Sequence, residues 1–209
     1  MLFKCVAFDV DGTLVDTFQA STASLQEVLL EEMGRAYTTE ELQFTFGMTG
    51  VASLTRLGVP DVQTALAKWN AYIERYVHLV RAYPGIPEVL AELGNAGVTL
   101  GLVTSRTRAG LGRDLDRLGL LGHFRTTVCA DDTRNHKPAP DPLLKLLADT
   151  GLAPADVLYV GDTVYDSECA RAAGVRFALA LWGAADPAVP CDYRVERPED
   201  LLRLCGQTP

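Results

Sequence analysis

Hydrophobic positions along this chain follow two patterns. Short apolar runs of strand length lie at Phe3 to Phe8, Val98 to Val103, Arg125 to Cys129, Val157 to Val160 and Val175 to Leu181. The stretches between the later runs instead carry apolar residues every three to four positions, which predicts helices over Pro87 to Ala96, Thr107 to Leu118, Asp141 to Thr150 and Val164 to Ala173. Strand and helix alternating in this way predict an α/β fold, a doubly wound parallel sheet with helices on both faces. The punctuation agrees. Pro87 suits a first helical position and Gly97 a stop, while Asp141 is placed to cap the helix begun by Pro142 and Gly151 to end it.

Residues 17–81 break the alternation. They contain no convincing strand and two helical faces, one of Phe18, Leu25, Val28, Leu29 and Met33, the other of Val62, Leu66, Trp69, Ile73, Tyr76, Val77 and Val80. Thr38 and Glu41 have the spacing of a capping box. The pattern divides the chain into a core of residues 1–16 and 82–209 and a small all-helical block of residues 17–81. That block reads either as a cap over a site on the core or as a purely structural bundle. Asp16-Thr17 and Tyr83-Pro84-Gly85 are the candidate hinges for a lid. The Trp69 and Tyr76 face is open to two readings, interior of the block or contact with another subunit, and the oligomeric state stays open.

Composition narrows the classes. A net charge of −8 without a basic run argues against a nucleic-acid backbone as partner. No stretch of about twenty apolar residues is present, which argues against a membrane span. The N-terminal apolar run is short and meets charge at Asp9, unlike a signal peptide. Five cysteines, odd in number and without a Cys-x-x-Cys pair, predict neither a disulfide framework nor a zinc cluster and suit a reducing cytoplasmic setting. Cys5 and Cys129 read as small core residues.

Four short segments carry the candidate chemistry: Asp9-Val10-Asp11-Gly12-Thr13-Leu14, Val103-Thr104-Ser105, Lys137-Pro138 and Gly161-Asp162-Thr163-Val164-Tyr165-Asp166. Each follows, or nearly follows, a predicted strand, and the carboxyl ends of strands in such a sheet converge on one ligand-binding edge. Four carboxylates there require a cation among them, and oxygen-rich sites favour magnesium. A lysine and a hydroxyl beside them call for an anion of phosphate size. Asp9 and Asp11 would face opposite sides of a continuous strand, so the strand must end near Asp9 and a turn through Gly12 must re-aim Asp11. One carboxylate then suits attack on phosphorus, and the second suits proton transfer to the leaving alkoxide and from water. Thr104 suits a phosphate oxygen near a helix start, and Lys137, in a proline-stiffened loop, suits the charge growing in transfer. Singly, each segment has a plainer reading. Asp-x-Asp-Gly equally describes a capped turn or a calcium loop, and Asp162 or Thr163 a helix cap.

Together the segments resemble the four motifs of the haloacid dehalogenase superfamily, in their usual order, over residues 2 to about 202. The resemblance implies a Rossmann-like core with a helical cap inserted after the first strand. It implies Asp9 as nucleophile and Asp11 as general acid/base, with Gly12, Thr104, Ser105 and Lys137 around the phosphoryl group. Magnesium is implied on Asp9, the backbone carbonyl of Asp11 and Asp162, with Asp166 assisting through water or by orienting Lys137. Asp11 speaks against a dehalogenase, and Gly161-Asp162 differs from the Glu-Asp pair of the β-phosphoglucomutase-like branch. Ala130-Asp131-Asp132, His136-Lys137-Pro138 and Ala180-Leu181-Trp182-Gly183 are similar to phosphoglycolate phosphatases and the related bacterial pyrophosphatases. Ser105-Arg106 stands where many such phosphatases carry Asn, and Glu168 and Arg171 add charge after the fourth motif, which bears on the substrate.

The expectation is a cytoplasmic, magnesium-dependent phosphatase acting on a small phosphorylated metabolite through an aspartyl-phosphate, with 2-phosphoglycolate as one candidate. The alternatives are an inorganic pyrophosphatase, a phosphomutase and a non-catalytic module on the same fold. Phe46-Gly47-Met48-Thr49-Gly50 is the turn of the helical block placed to reach a substrate, or a plain helix connection.

Overall fold

A computed structural model describes residues 3–206, apart from the side chain at position 113. The outermost residues that the sequence assigns to the core, 1, 2 and 207–209, lie outside the described part.

Five runs become the parallel strands β1 (Cys5–Phe8), β4 (Thr99–Val103), β5 (Thr126–Val128), β6 (Val157–Gly161) and β7 (Arg176–Ala180), each starting a residue or more inside its predicted start except β6. A sixth, β8 (Tyr193–Val195), completes the order β5-β4-β1-β6-β7-β8. The short ribbon strands β2 (Val15–Asp16) and β3 (Arg81–Ala82) pair antiparallel at the two chain crossings into the helical block. Central strands β1 and β6 are buried along their whole length, which is why their sequences are apolar throughout instead of alternating. Alternation survives as a division between faces. Val6 and Phe8 join one core cluster, Cys5 and Ala7 the other.

Helices α5 (Ile86–Asn95), α6 (Arg108–Arg117) and α9 (Asp200–Leu204) contribute residues to the first cluster, while α7 (Asp141–Thr150) and α8 (Val164–Ala173) contribute to the second. The result is a three-layer α/β/α sandwich. Gly151 ends α7 in the left-handed conformation as expected. Asp141 does not cap that helix. It is the first helical residue, Pro140 holds the cap position, and the Asp141 carboxylate accepts from the Asn135 amide at 2.8 Å. Both β8 and α9 escape the sequence pattern, being only three and five residues long.

The helical block comprises α1 (Phe18–Met33), α2 (Thr39–Leu42), α3 (Gly50–Arg56) and α4 (Val62–Tyr72). Thr38 and Glu41 form the expected capping box. The block has an apolar cluster of its own, built on Leu25, Val28, Leu29, Leu42, Leu54, Val59 and Ala65. Phe18 departs from its predicted face, being 37% exposed and lying with its ring 4.7 Å from that of Phe46. The second predicted face is not one helix either. After Tyr72 the chain tightens into a 3-10 segment, Ile73–Leu79, which rotates Ile73 and Tyr76 toward the core cluster. Trp69 is half-buried against the block's own apolar cluster, its Nε1 donating to the Ser21 carbonyl and to Ser24 Oγ of α1.

Candidate active site

The site grows out of sheet register. Phe8 pairs with Leu102 on one side and Val160 on the other. Asp9, Thr104 and Asp162 therefore leave three adjacent strands at the same edge, where the chain order reverses around β1. After Asp9 the backbone folds into a tight turn in which the Val10 carbonyl accepts from Thr13, Leu14 and Val15. Gly12 adopts φ +79°, and a Cβ there would lie 2.1 Å from Asp162 Oδ2. The missing side chain thus supplies both the turn and the space for Asp162.

Lys137 is buried, and its ammonium lies 2.9 Å from Asp9 Oδ1, 2.7 Å from Asp166 Oδ1 and 3.2 Å from the Tyr159 hydroxyl. Burial pulls the lysine toward neutrality, but Asp166 and Asp9 outweigh it and hold the ammonium charged well above its usual range. Asp166 is fully buried. Burial would raise its pKa, yet Lys137, Thr163 and Tyr159 bring it below the usual carboxylate range. Thr163, not Asp162, caps α8, exchanging hydrogen bonds with Asp166. Asp162 is thereby released from helix capping to face the site, with one contact from Thr13 Oγ1 at 3.1 Å. Its pKa is driven well up by burial and by the neighbouring Asp166 and Asp9. Burial also raises Asp9, against the pull of Lys137.

Oxygen atoms of Asp9, Asp162 and Asp166 all lie within 4.8 Å of one another. Three carboxylates against one ammonium leave a surplus of negative charge in a dry place, and the upward shift of Asp162 records that strain. A small divalent cation with oxygen preference fits this donor set. Asp166 is its least available member, since both of its oxygens are already engaged: Oδ1 by Lys137 and Tyr159, Oδ2 by the Thr163 N–H and hydroxyl.

Asp11 sits apart from that cluster, re-aimed as expected. Its carboxylate accepts from Arg106 at 2.6 and 2.8 Å and from the Thr17 hydroxyl at 2.5 Å. Burial would raise the pKa of Asp11, but Arg106 and Thr17 prevail and lower it. Arg106 also holds Asp114 at 2.9 Å. Thr104 is buried, and its Oγ1 accepts from the Arg106 N–H at 3.1 Å. Ser105, expected beside a phosphoryl group, donates instead to the Gly47 carbonyl of the helical block at 2.9 Å. Glu168 and Arg171 are exposed on α8 and do not line the cavity, so neither reaches the site.

Sequence reasoning missed three participants. Tyr159 had a signal, a single tyrosine in the otherwise aliphatic β6. Arg106 was visible only as a departure from the expected asparagine. Thr13 had none, because its contact spans 149 residues of sequence.

Above Asp9 and Asp11 lies a cavity of about 470 Å³, floored by the core and roofed by residues 45–52, 66, 69, 70 and 73 of the helical block. Among the described residues, no helix is long and apolar enough to cross a membrane.

Residues 6–180 match the family model of the haloacid dehalogenase-like hydrolases. The chain is 32% identical to a phosphoglycolate phosphatase of Aquifex aeolicus, over 96% of each chain. It is 30% identical to the pyrophosphatase PpaX of Bacillus velezensis, over 96% of this chain and 95% of the relative. A solved Lactobacillus plantarum structure, provisionally described as a phosphoglycolate phosphatase, superposes with a TM-score of 0.89 at 32% identity, covering 98% of this chain and all of the other. With this match laid over a buried carboxylate cluster at the switch point of the sheet, the chain belongs to the haloacid dehalogenase-like hydrolases, as an enzyme of their phosphatase branch.

Proposed function

We propose that this enzyme hydrolyses a small phosphomonoester through an aspartyl-phosphate on Asp9, with magnesium as its cation. The observation that carries the reading is the seating of Asp9. Its Oδ1 is held 2.9 Å from a buried lysine, and its carboxylate shares a 4.8 Å cluster with Asp162 and Asp166.

Carboxylate oxygens of Asp9 and Asp162 and the backbone carbonyl of Asp11 would hold the magnesium, with Asp166 contributing through water. Bound there, the ion supplies charge neutralisation that lets an anionic phosphoryl group approach anionic Asp9. Asp9 Oδ2 attacks phosphorus while the ester oxygen departs. Asp11 is the proposed general acid/base. Once substrate binding frees its carboxylate from Arg106 it would carry the proton that the departing alkoxide takes up, and as the carboxylate it would take a proton from the water that later cleaves the acyl phosphate. Lys137 compensates the charge on the transferring oxygens, and Asp166 and Tyr159 orient it. Gly12 and Thr104 would stand beside the phosphoryl group, Thr104 through its hydroxyl and Gly12 by leaving space next to Asp162, since the Gly12 N–H itself is donated to the Val15 carbonyl at 2.9 Å. Residues 17–81 act as a cap on the core of residues 1–16 and 82–209. Three features support the division: the separate apolar cluster, the two-stranded ribbon at the crossings, and the cavity that opens between block and core, spanned by the Ser105–Gly47 hydrogen bond.

The relatives named for phosphoglycolate and for pyrophosphate make both compounds candidates for this chain. Five cysteines without a disulfide suit a reducing, cytoplasmic setting. Phosphate release is the test, from a panel of phosphorylated metabolites and pyrophosphate, with magnesium and with EDTA, for wild type and Asp9→Asn. Magnesium-dependent release abolished in Asp9→Asn is the expected result. Full turnover in Asp9→Asn, or no release from any compound, refutes the reading.

A further inference from the structure

The cavity above Asp9 has a chemical character of its own. Its roof is carbon: Phe46, Met48, Leu66, Trp69 and Ile73 line it. The one donor of the Trp69 side chain is spent on Ser21 and Ser24, so that side chain offers the cavity only its ring. Charge in the lining is acidic. Asp11, Asp114 and Asp131 contribute carboxylates there, and among the described residues Arg106 is the only lysine or arginine. That guanidinium is already matched by two of those carboxylates, Asp11 at 2.6 Å and Asp114 at 2.9 Å. Lys137, the other buried cation, is committed to Asp9 and Asp166 at the phosphoryl end. Uncharged polar groups remain open to a ligand: among the described residues the exposed Asn70 amide and the Ser21 hydroxyl line the cavity without a side-chain hydrogen-bond partner.

Resting on the phosphatase reading above, we propose that the leaving group this enzyme selects is a bulky, uncharged alcohol with both an apolar face and hydroxyls. A phosphorylated monosaccharide without a second charged group has this chemistry. The argument is one of size and sign. A cavity of about 470 Å³ is far larger than the two-carbon acid of phosphoglycolate needs and falls in the range of pockets that enclose larger ligands. A carboxylate or second phosphate on the leaving group would enter a wall of three carboxylates with no unmatched cation, and like charges so placed are strongly disfavoured. Hydroxyls instead find Asn70 and Ser21, and a carbon face finds Trp69.

The test uses a pair of equal carbon number that differs in one carboxylate: glucose 6-phosphate against 6-phosphogluconate, with 2-phosphoglycolate and pyrophosphate alongside. For the wild-type enzyme with magnesium, kcat/KM for glucose 6-phosphate exceeds each anionic competitor by about tenfold or more. Val51 lies on α3, is 43% exposed and lines the cavity, so Val51→Lys adds a cation there. That variant narrows the glucose 6-phosphate to 6-phosphogluconate ratio by about threefold. A wild-type preference for 6-phosphogluconate, phosphoglycolate or pyrophosphate overturns the proposal, and so does a ratio that Val51→Lys leaves unchanged. The ranking is also read without turnover, as dissociation constants of the four compounds for magnesium-loaded Asp9→Asn by calorimetry. A protein that hydrolyses nothing but keeps the binding order refutes the phosphatase reading alone. A protein that hydrolyses well with the order reversed refutes this inference alone.

Discussion

Arg106 ties the carboxylate of Asp11 to that of Asp114, and replacing it by Met measures what the tie contributes to stability. The wild-type guanidinium joins Asp11 to Asp114, with side-chain exposures of 13% for Arg106, 29% for Asp11 and 4% for Asp114. Methionine keeps much of the length and the apolar stem but strands both carboxylates. Asp114 is the expensive one, because among the described residues Arg106 is its only side-chain partner and water hardly reaches it. Breaking a buried pair by removing one member costs about 3–5 kcal/mol, which for a chain of this size lowers Tm by roughly 6–20 °C. Asp11, more exposed, adds at most about 1 kcal/mol. Removing the stranded charge as well, in Arg106→Met/Asp114→Leu, recovers most of the loss, since no unpaired charge remains in the dry position. The pH dependence has a definite sign. The folded pKa of Asp11 lies below its ordinary value of 3.8, so its pairing stabilises the fold above that pH and ceases to do so as the pH falls through the folded value. The Asp11 share of the gap between wild type and Arg106→Met, at most about 1 kcal/mol, is therefore present near neutrality and lost at acid pH. Thermal and urea unfolding followed by circular dichroism at several pH values measure all of this. A single variant within about 1 kcal/mol of wild type, or a double variant no better than the single, refutes the reasoning.

Three further outcomes are expected. Lys137→Met lowers the rate of phosphate release by about 10²–10³-fold, because the transferring charge loses its nearest ammonium; steady-state kinetics of a folded variant reads it. Gly183→Ala places a Cβ 1.7 Å from the Gly12 carbonyl oxygen, so the turn carrying Asp11 must shift. Overpacking of this kind costs about 1–3 kcal/mol, and kcat falls with the Tm. Magnesium titration raises the Tm of wild type with concentration, as binding to the folded state alone requires, and raises that of Asp162→Asn far less; differential scanning calorimetry separates the two.

Most of the sheet was legible because the central strands are buried on both faces and stand out as unbroken apolar runs. What escaped was short or irregular. Strand β8 pairs on one side only and has a half-exposed face, so three residues left no pattern. The 62–80 face looked continuous because a 3-10 turn and an α-turn both bring apolar residues round at similar intervals. At the site, the carboxylates were legible because each follows a strand, and strand ends share an edge. Their partners were not. Tyr159 meets Asp166 and Arg106 meets Asp11 only because register and helix packing bring them together, 7 and 95 residues apart. Ser105 shows the same division: it lines the cavity with Asp9, while the partner of its hydroxyl, the Gly47 carbonyl across that cavity, lies 58 residues away in sequence.

Those hidden partners decide how the acidic edge is divided. Four aspartates could in principle share one cation and one lysine in many ways. Asp166 receives the lysine, a tyrosine hydroxyl and two groups of Thr163, which leaves its charge fully answered. Asp11 receives Arg106 and Thr17, so its charge too is answered without a metal. Asp162 receives one threonine hydroxyl and otherwise faces like charge, and Asp9 shares a lysine that Asp166 also holds. The unmet negative charge is thus concentrated on the two carboxylates that flank the end of β1. A cation placed between Asp9 and Asp162 relieves the most strain, and it does so where an incoming phosphoryl group would otherwise meet an uncompensated carboxylate. By answering Asp11 and Asp166 with protein groups, the fold leaves Asp9 and Asp162 as the pair a cation would relieve most, and on the proposed reading that sets nucleophile and ion on the same side of the substrate.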